Sequence, residues 1–244
     1  MEKLISILKK NINKLIYFFK KLIIKIKGFF PVRLKTFLKK FKKFNGYNQL
    51  DVKLLKYINF EDGFYIDCGA NDGVNQSTTW YFEKSLRWKG LLIEAIPEVF
   101  IQLKQNRGPK NFYENCALVS SKFKKENVEF FYNKKDTLTG GTLRGDNSIK
   151  KIIPAKTLDS ILKKNPTIEI IDLFSLDVEG NEFEVLDGTS LDKIRYILVE
   201  TNNFKKLNNV LNAKEFKFVE RLSNYNFLEQ PDYGDYLFKN KLLD

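Results

Sequence analysis

The sequence predicts an α/β domain with a mostly parallel sheet covered by helices on both faces, preceded by a basic helical arm. Three observations predict it. From residue 63 onward, short apolar runs alternate with segments of helical period. Most of those runs are continuous, as strands buried on both faces require. Positive charge is concentrated in the first 44 residues, which differ in composition from the rest.

The chain has 244 residues, 43% of them hydrophobic, with 22 Phe. That is enough for one α/β domain with an appendage, and it excludes global disorder. Residues 1–44 hold 14 Lys and Arg against one acid, Glu2, whereas residues 45–244 are nearly neutral, at a net of −1. The body therefore lacks, in its charge sum, the positive field that a nucleic-acid enzyme places around its site. There is no His, so proton transfer falls to carboxylate, Lys, Tyr or water. Cys68 and Cys116 have no CxxC spacing, which argues against a disulfide framework or a zinc site. They are expected to be buried reduced thiols of a cytoplasmic protein.

In the arm, Leu4, Leu8, Ile12, Leu15, Phe19, Leu22 and Ile26 recur every three or four residues, and lysines fill another face. After a break at Gly28 and Pro31, Leu34, Phe37, Leu38, Phe41 and Phe44 resume the pattern. Two amphipathic basic helices are predicted. No uncharged run in the arm exceeds five residues, against about 20 for a bilayer span. Nor is there the apolar core and cleavage site of a secretory signal. Residues 1–44 are expected to lie on an anionic membrane surface, peripheral to its inner face. Packing on protein and binding to RNA or another polyanion are the alternatives.

In the body (residues 45–244), 45–50 read as a linker and Gly63–Cys68 as the first strand. A Gly-rich turn follows, then a helix over about 76–86 and a second strand, 91–93, ending at Glu94. Pro97 starts a helix to about 105. Residues 111–119 and 128–132 are strand-like, and 134–148 read as a long polar loop. Residues 168–176 form a long apolar strand, with a helix at 182–186 and a strand at 196–199. Residues 213–223 are predicted helical, and 225–228 with 235–238 a closing antiparallel pair. Trp80, Tyr81 and Trp88 are read as core.

Ligands of open α/β sheets sit beyond the carboxyl ends of the strands. There the sequence places IDCGANDG, residues 66–73. Gly69 and Gly73 allow a tight turn and close approach to a ligand. The helix beyond offers N–H groups to a carboxylate, and Asp67 can accept from an ammonium. Glu94, at the tip of the next strand, can accept from both hydroxyls of a ribose. Asn71 occupies the place of the middle glycine of a dinucleotide turn, and no GK[ST] follows. This spacing favours S-adenosylmethionine over NAD or ATP.

At FYIDCGANDG, LLIEAIPEVF, ENCALVS, KTLDSIL, SLDVEGNEFEVLDG and YILVE, spanning about residues 60–200, the chain resembles the FkbM-type methyltransferases. The resemblance implies a Rossmann-like class I fold. It also implies S-adenosylmethionine as cofactor and O-methylation of sugars or other small hydroxylated acceptors. It assigns Asp67, Gly69, Asn71 and Gly73 to the cofactor loop, Glu94 to ribose, and Cys116 and Ala117 to the neighbourhood of adenine. Ala95 departs from the family, which often has Pro there.

On the acceptor side, Asp177, Glu179 and Glu182 crowd one strand end. Such like charge needs an offset, and a sulfonium supplies one. Asp177 is the first choice for the base or acceptor-orienting group, and Glu179 the second. Glu182, Glu200 and, from the long loop, Arg144 are candidates for binding the acceptor. The plainer reading is that Asp177 caps its turn and Glu182 stabilises a helix start; a divalent metal such as Mg²⁺ on Asp177 is a further alternative. Three functions fit: a membrane-peripheral glycan O-methyltransferase, an RNA or protein methyltransferase using the arm, and a non-catalytic cofactor-binding scaffold.

Overall fold

The computed structural model describes residues 43–133, 136–141, 148–225 and 230–243. Arg144 and the predicted arm up to residue 42 lie outside the described residues. Among those described, no helix is long and apolar enough to cross a membrane.

A 3₁₀ turn at Tyr47–Gln49 leads into α1 (Leu50–Leu54), where the sequence reads as a linker. Then come β1 (Phe64–Cys68), α2 (Trp80–Leu86), β2 (Lys89–Ile93), α3 (Pro97–Arg107) and β3 (Phe112–Glu114). Strands β4 (Ala117–Leu118), β5 (Asn127–Asn133), β6 (Asp136–Gly141) and β7 (Ile149–Lys156) follow. The rest is α4 (Leu158–Lys164), β8 (Ile171–Leu176), α5 (Glu182–Asp187), β9 (Ile194–Thr201), α6 (Phe204–Asn212), β10 (Phe216–Arg221) and β11 (Gly234–Asn240).

The main sheet has the order β10-β11-β9-β8-β1-β2-β3. Strands β3, β2, β1, β8 and β9 run parallel, and β11 is antiparallel to both β9 and β10. This is the predicted mostly parallel sheet; its closing antiparallel pair is β10 with β11, not 225–228 with 235–238, and 226–228 lie outside the described residues. Its apolar runs fill two layers because successive side chains point to opposite faces. Ile66, Leu91, Ile93, Phe174, Leu176, Ile197 and Val199 pack in one cluster. Tyr65, Leu92, Leu173, Leu198 and Leu237, the intervening residues, pack in the other. Each large apolar side chain buried this way contributes about 1.5–3 kcal/mol. Trp80, Tyr81 and Trp88 are buried, as expected of core.

From β1 the chain builds β2 and β3 on one side, then returns to place β8 on the other. Strand order reverses at β1, so a crevice opens there, at the carboxyl ends of the strands. Register brings five strand ends together: Cys68 lies opposite Ile93 and Leu176, Leu176 opposite Val199, and Glu200 opposite Asp235.

Four further readings need correction. Residues 216–221 form β10 rather than a helix, because the short FKFVER run fits either period and pairing with β11 decides it. Residues 136–141 and 149–156 are strands of a second, four-stranded sheet, β4-β7-β5-β6, where a long loop was expected over 134–148. The run 111–119 splits into β3 and β4, which belong to different sheets. Helix α2 begins at Trp80, not near Gln76, because Asp72 diverts the chain first: its Oδ1 accepts from the N–H groups of Val74 (2.9 Å) and Asn75 (2.7 Å).

Candidate functional site

The glycine turn after β1 is pinned to β2. The N–H groups of Gly69 and Ala70 both donate to the Ile93 carbonyl at 3.1 Å. Gly69 has φ +81°, and a Cβ there would come within 1.8 Å of the Asp177 carbonyl oxygen. Only glycine lets β1's exit pass this close to β8's. Asn71 takes φ 47°, which Asn tolerates better than most residues. Gly73, at φ +76°, packs its backbone against Leu103 and Arg107 of α3. Since α2 starts only at Trp80, the expected helix N–H groups do not follow directly on the turn.

Glu94 holds this turn. Its Oε2 accepts from Asn71 N–H at 2.9 Å and its Oε1 from Ile96 N–H at 2.8 Å. Burial pushes its carboxyl up to about 7, opposed by the N–H groups of Ile96 and Asn71. The side chain of Asn115 donates to the carbonyls of Glu94 (2.7 Å) and Ala95 (3.0 Å), fixing the strand tip. A carboxylate offers about four lone-pair sites, so two bonds to the backbone leave room for two hydroxyls.

Asp67 is buried at the end of β1. Thr79 Oγ1 donates to its Oδ2 at 2.5 Å. Burial raises the Asp67 carboxyl above its ordinary range, while Arg107 pulls the other way. Arg107 is itself buried, with its Nε on Glu83 at 2.6 Å and its Nη1 on the Gly73 carbonyl at 3.1 Å.

Two cavities adjoin across the turn and share Gly69, Asn71, Asp177 and Glu179. One is mainly apolar, lined by Ile93, Ile96, Cys116, Ala117 and Phe130, with Glu94 at its edge. Both cysteines are free and buried, and burial pushes the Cys116 thiol up to about 12, which keeps it neutral. The other cavity, of about 310 Å³, is lined by Asp67, Asp177, Glu200, Asp235, Tyr225 and Tyr233, among others.

In this second cavity Asp177 is open to the cleft but ringed by protein. Loss of solvation, then Glu200, Glu179, Asp235 and Glu182, pushes its carboxyl well above the carboxylate range. Glu200 accepts from Tyr225 at 2.7 Å and from the Tyr233 hydroxyl. Asp235 accepts from Ser223 and, at 3.2 Å, from Tyr225; burial raises its carboxyl to about 6. The rings of Tyr225 and Tyr233 stack with centroids 4.7 Å apart, and Tyr47 stacks on the far side of Tyr225 at 5.9 Å. Glu182 is buried and accepts from Gly180 N–H at 2.8 Å. It stabilises the turn leading into α5 and also lines an opening beside Glu200.

The structure therefore brings Asp67, Gly69, Asn71, Glu94, Cys116, Ala117, Asp177, Glu179 and Glu200 to one crevice. Gly73 supports the turn from behind. Among the described residues, no group of three or more acids or cysteines is placed to hold a metal ion. The metal alternative gains nothing from this donor set. Sequence reasoning missed Tyr47, Thr79, Arg107, Tyr225, Tyr233 and Asp235. Only Tyr225 and Asp235 had a signal, each as the first residue of a predicted strand.

The chain matches the Methyltransferase FkbM domain over residues 67–229. No curated protein matches it. Among solved structures it is similar to methyltransferase FkbM from Methylobacillus flagellatus, at 13% identity and a TM-score of 0.46, covering 75% of this chain and 45% of that one. It is also similar to a TehB-like S-adenosylmethionine-dependent methyltransferase from Corynebacterium glutamicum, at 10% identity and a TM-score of 0.44, covering 79% and 88%. A third is the fibrillarin pre-rRNA processing protein of Methanococcus jannaschii, at 14% identity and a TM-score of 0.45, covering 75% and 68%. The chain spans less than half of the first of these proteins. The domain match, which extends over more than half of the sequence, places the chain in the FkbM methyltransferase family.

Proposed function

We propose that the chain methylates a hydroxyl of a sugar, glycan precursor or similar small neutral acceptor, with donor and acceptor in the two adjoining cavities. The observation that carries this reading is the row of carboxyl groups of Asp177, Glu200 and Asp235 at neighbouring strand tips, beside the glycine turn.

When bound, S-adenosylmethionine supplies an electrophilic methyl on a sulfonium. Glu94 takes its ribose hydroxyls, Asp67 its ammonium, and the Cys116 and Ala117 cavity its adenine. Asp177 orients the acceptor hydroxyl and removes its proton; its raised proton affinity makes it a stronger base than an ordinary carboxylate. Glu179 is the second candidate for this task. Glu200, with Glu182 beside it, accepts from other acceptor hydroxyls, and Arg144 is proposed to reach the acceptor from its loop.

The tyrosine hydroxyls of this wall already donate to Glu200. The wall therefore offers lone pairs to a ligand rich in O–H groups, and repels phosphate. That favours a neutral polyhydroxylated acceptor over RNA in the cavity. The basic arm, residues 1–44, is proposed to hold the enzyme at an anionic membrane surface, where lipid-linked glycans are built.

A labelled-methyl transfer screen against nucleotide sugars, oligosaccharides, lipids and RNA tests the reading. Label in a saccharide hydroxyl is expected; label in RNA alone would overturn it. Anionic vesicles should retain the full chain and release one lacking residues 1–44.

A further inference from the structure

Thr79 stands at the N-cap of α2, yet its side chain makes no capping bond. Threonine there ordinarily accepts from the first-turn N–H groups, at a gain of about 1 kcal/mol. Its hydroxyl, fully buried, is used elsewhere. Arg107 Nη2 donates to Thr79 Oγ1 at 3.1 Å, and Oγ1 lies 2.5 Å from Asp67 Oδ2. A guanidinium only donates, and a hydroxyl has one proton and two lone pairs. With a lone pair occupied by Arg107, the single Thr79 proton is directed at Asp67. Arg107 cannot swing away, because its Nη2 also donates to Tyr65 Oη at 2.6 Å and its Nη1 to Ser77 Oγ at 3.1 Å.

We infer that Thr79 is a positioning residue, polarised by Arg107, that locks the Asp67 carboxylate in the orientation that receives the amino-acid end of S-adenosylmethionine. This rests on the proposed role of Asp67 toward the donor's ammonium and names the residues on which that role depends. The relay joins α3, the glycine turn and β1, so Asp67 keeps its place without a direct cation.

The test compares the full chain with Thr79→Val and Thr79→Ser by calorimetry against three ligands. S-adenosylmethionine and S-adenosylhomocysteine carry the amino-acid end; 5′-methylthioadenosine lacks it. Thr79→Val should weaken the first two by about tenfold and leave methylthioadenosine within about twofold of the unaltered chain. Thr79→Ser, which keeps the proton, should bind all three as the unaltered chain does. Equal weakening of all three ligands by Thr79→Val would reduce Thr79 to a structural part, and no weakening would remove it from the site. Either result overturns the inference while leaving the function standing. Failure of the unaltered chain to bind S-adenosylmethionine would instead overturn the function and the inference with it.

Discussion

The two halves of the crevice are built differently. On the proposed cofactor side, Asp67 and Glu94 are each tied by donors from the protein: a threonine hydroxyl for one, two backbone N–H groups for the other. Their shapes are set before any ligand arrives. On the proposed acceptor side, Asp177, Glu200 and Asp235 crowd together, and among the described residues tyrosine and serine hydroxyls relieve only Glu200 and Asp235. Loss of solvation, and after it the repulsion left over, falls on Asp177. One half stores geometry and the other stores charge. Binding should therefore respond to the first half and turnover to the second.

The largest expected effect lies on the charged half. Asp177→Asn should lower kcat by about 10²–10⁴-fold while leaving S-adenosylmethionine affinity nearly unchanged. Full activity would reject Asp177 as the base, and a parallel loss of cofactor affinity would erase the contrast between the halves. Next comes Glu94→Ala, which removes a carboxylate expected to accept two hydroxyls. Cofactor affinity should fall by about 100-fold, and thermal stability should fall too, because the N–H groups of Asn71 and Ile96 lose their partner. Unchanged affinity would take Glu94 out of the ribose site.

The smallest effect concerns pH. The Glu94 carboxyl is pushed up to about 7 in the folded chain, against 4.5 ordinarily. Its folded pKa exceeds its unfolded one, so this contribution to stability is full below about pH 4.5 and is lost as pH rises through about 7. Asp235, at about 6, adds to the same trend. Cofactor affinity should move oppositely, rising several-fold between about pH 6 and about pH 8 as Glu94 ionises into a better acceptor. Glu94→Gln should flatten that affinity slope; a slope that survives it would assign the titration to another group.

How much of this could be read from the sequence follows the same division. The glycine turn and Glu94 were legible because their signal is local: the end of one strand, a turn and the next strand, with Asp67 and Glu94 only 27 positions apart. Asp177 was legible as an acid at the end of a long apolar run. The wall facing it was not. Tyr233 reaches Glu200 across 33 positions and Tyr225 across 25, because the closing strand pairs with β9, a partner that the expected antiparallel pair did not name. Arg107 was hidden similarly. It ends a helix, where a cation ordinarily serves the helix dipole, and its burial against Thr79 and Glu83 depends on how α3 packs over the turn. Strand β10 was misread because six residues of mixed polarity satisfy a helical period as well as a twofold one.

The central claim is that the tips of β1 and β2 grip one adenosyl ligand. A crystal structure of the chain with S-adenosylhomocysteine tests it most directly. The account predicts a single molecule with its amino group on Asp67, both ribose hydroxyls on Glu94 and its adenine beside Cys116 and Ala117. A ligand bound elsewhere, touching neither carboxylate, would contradict it.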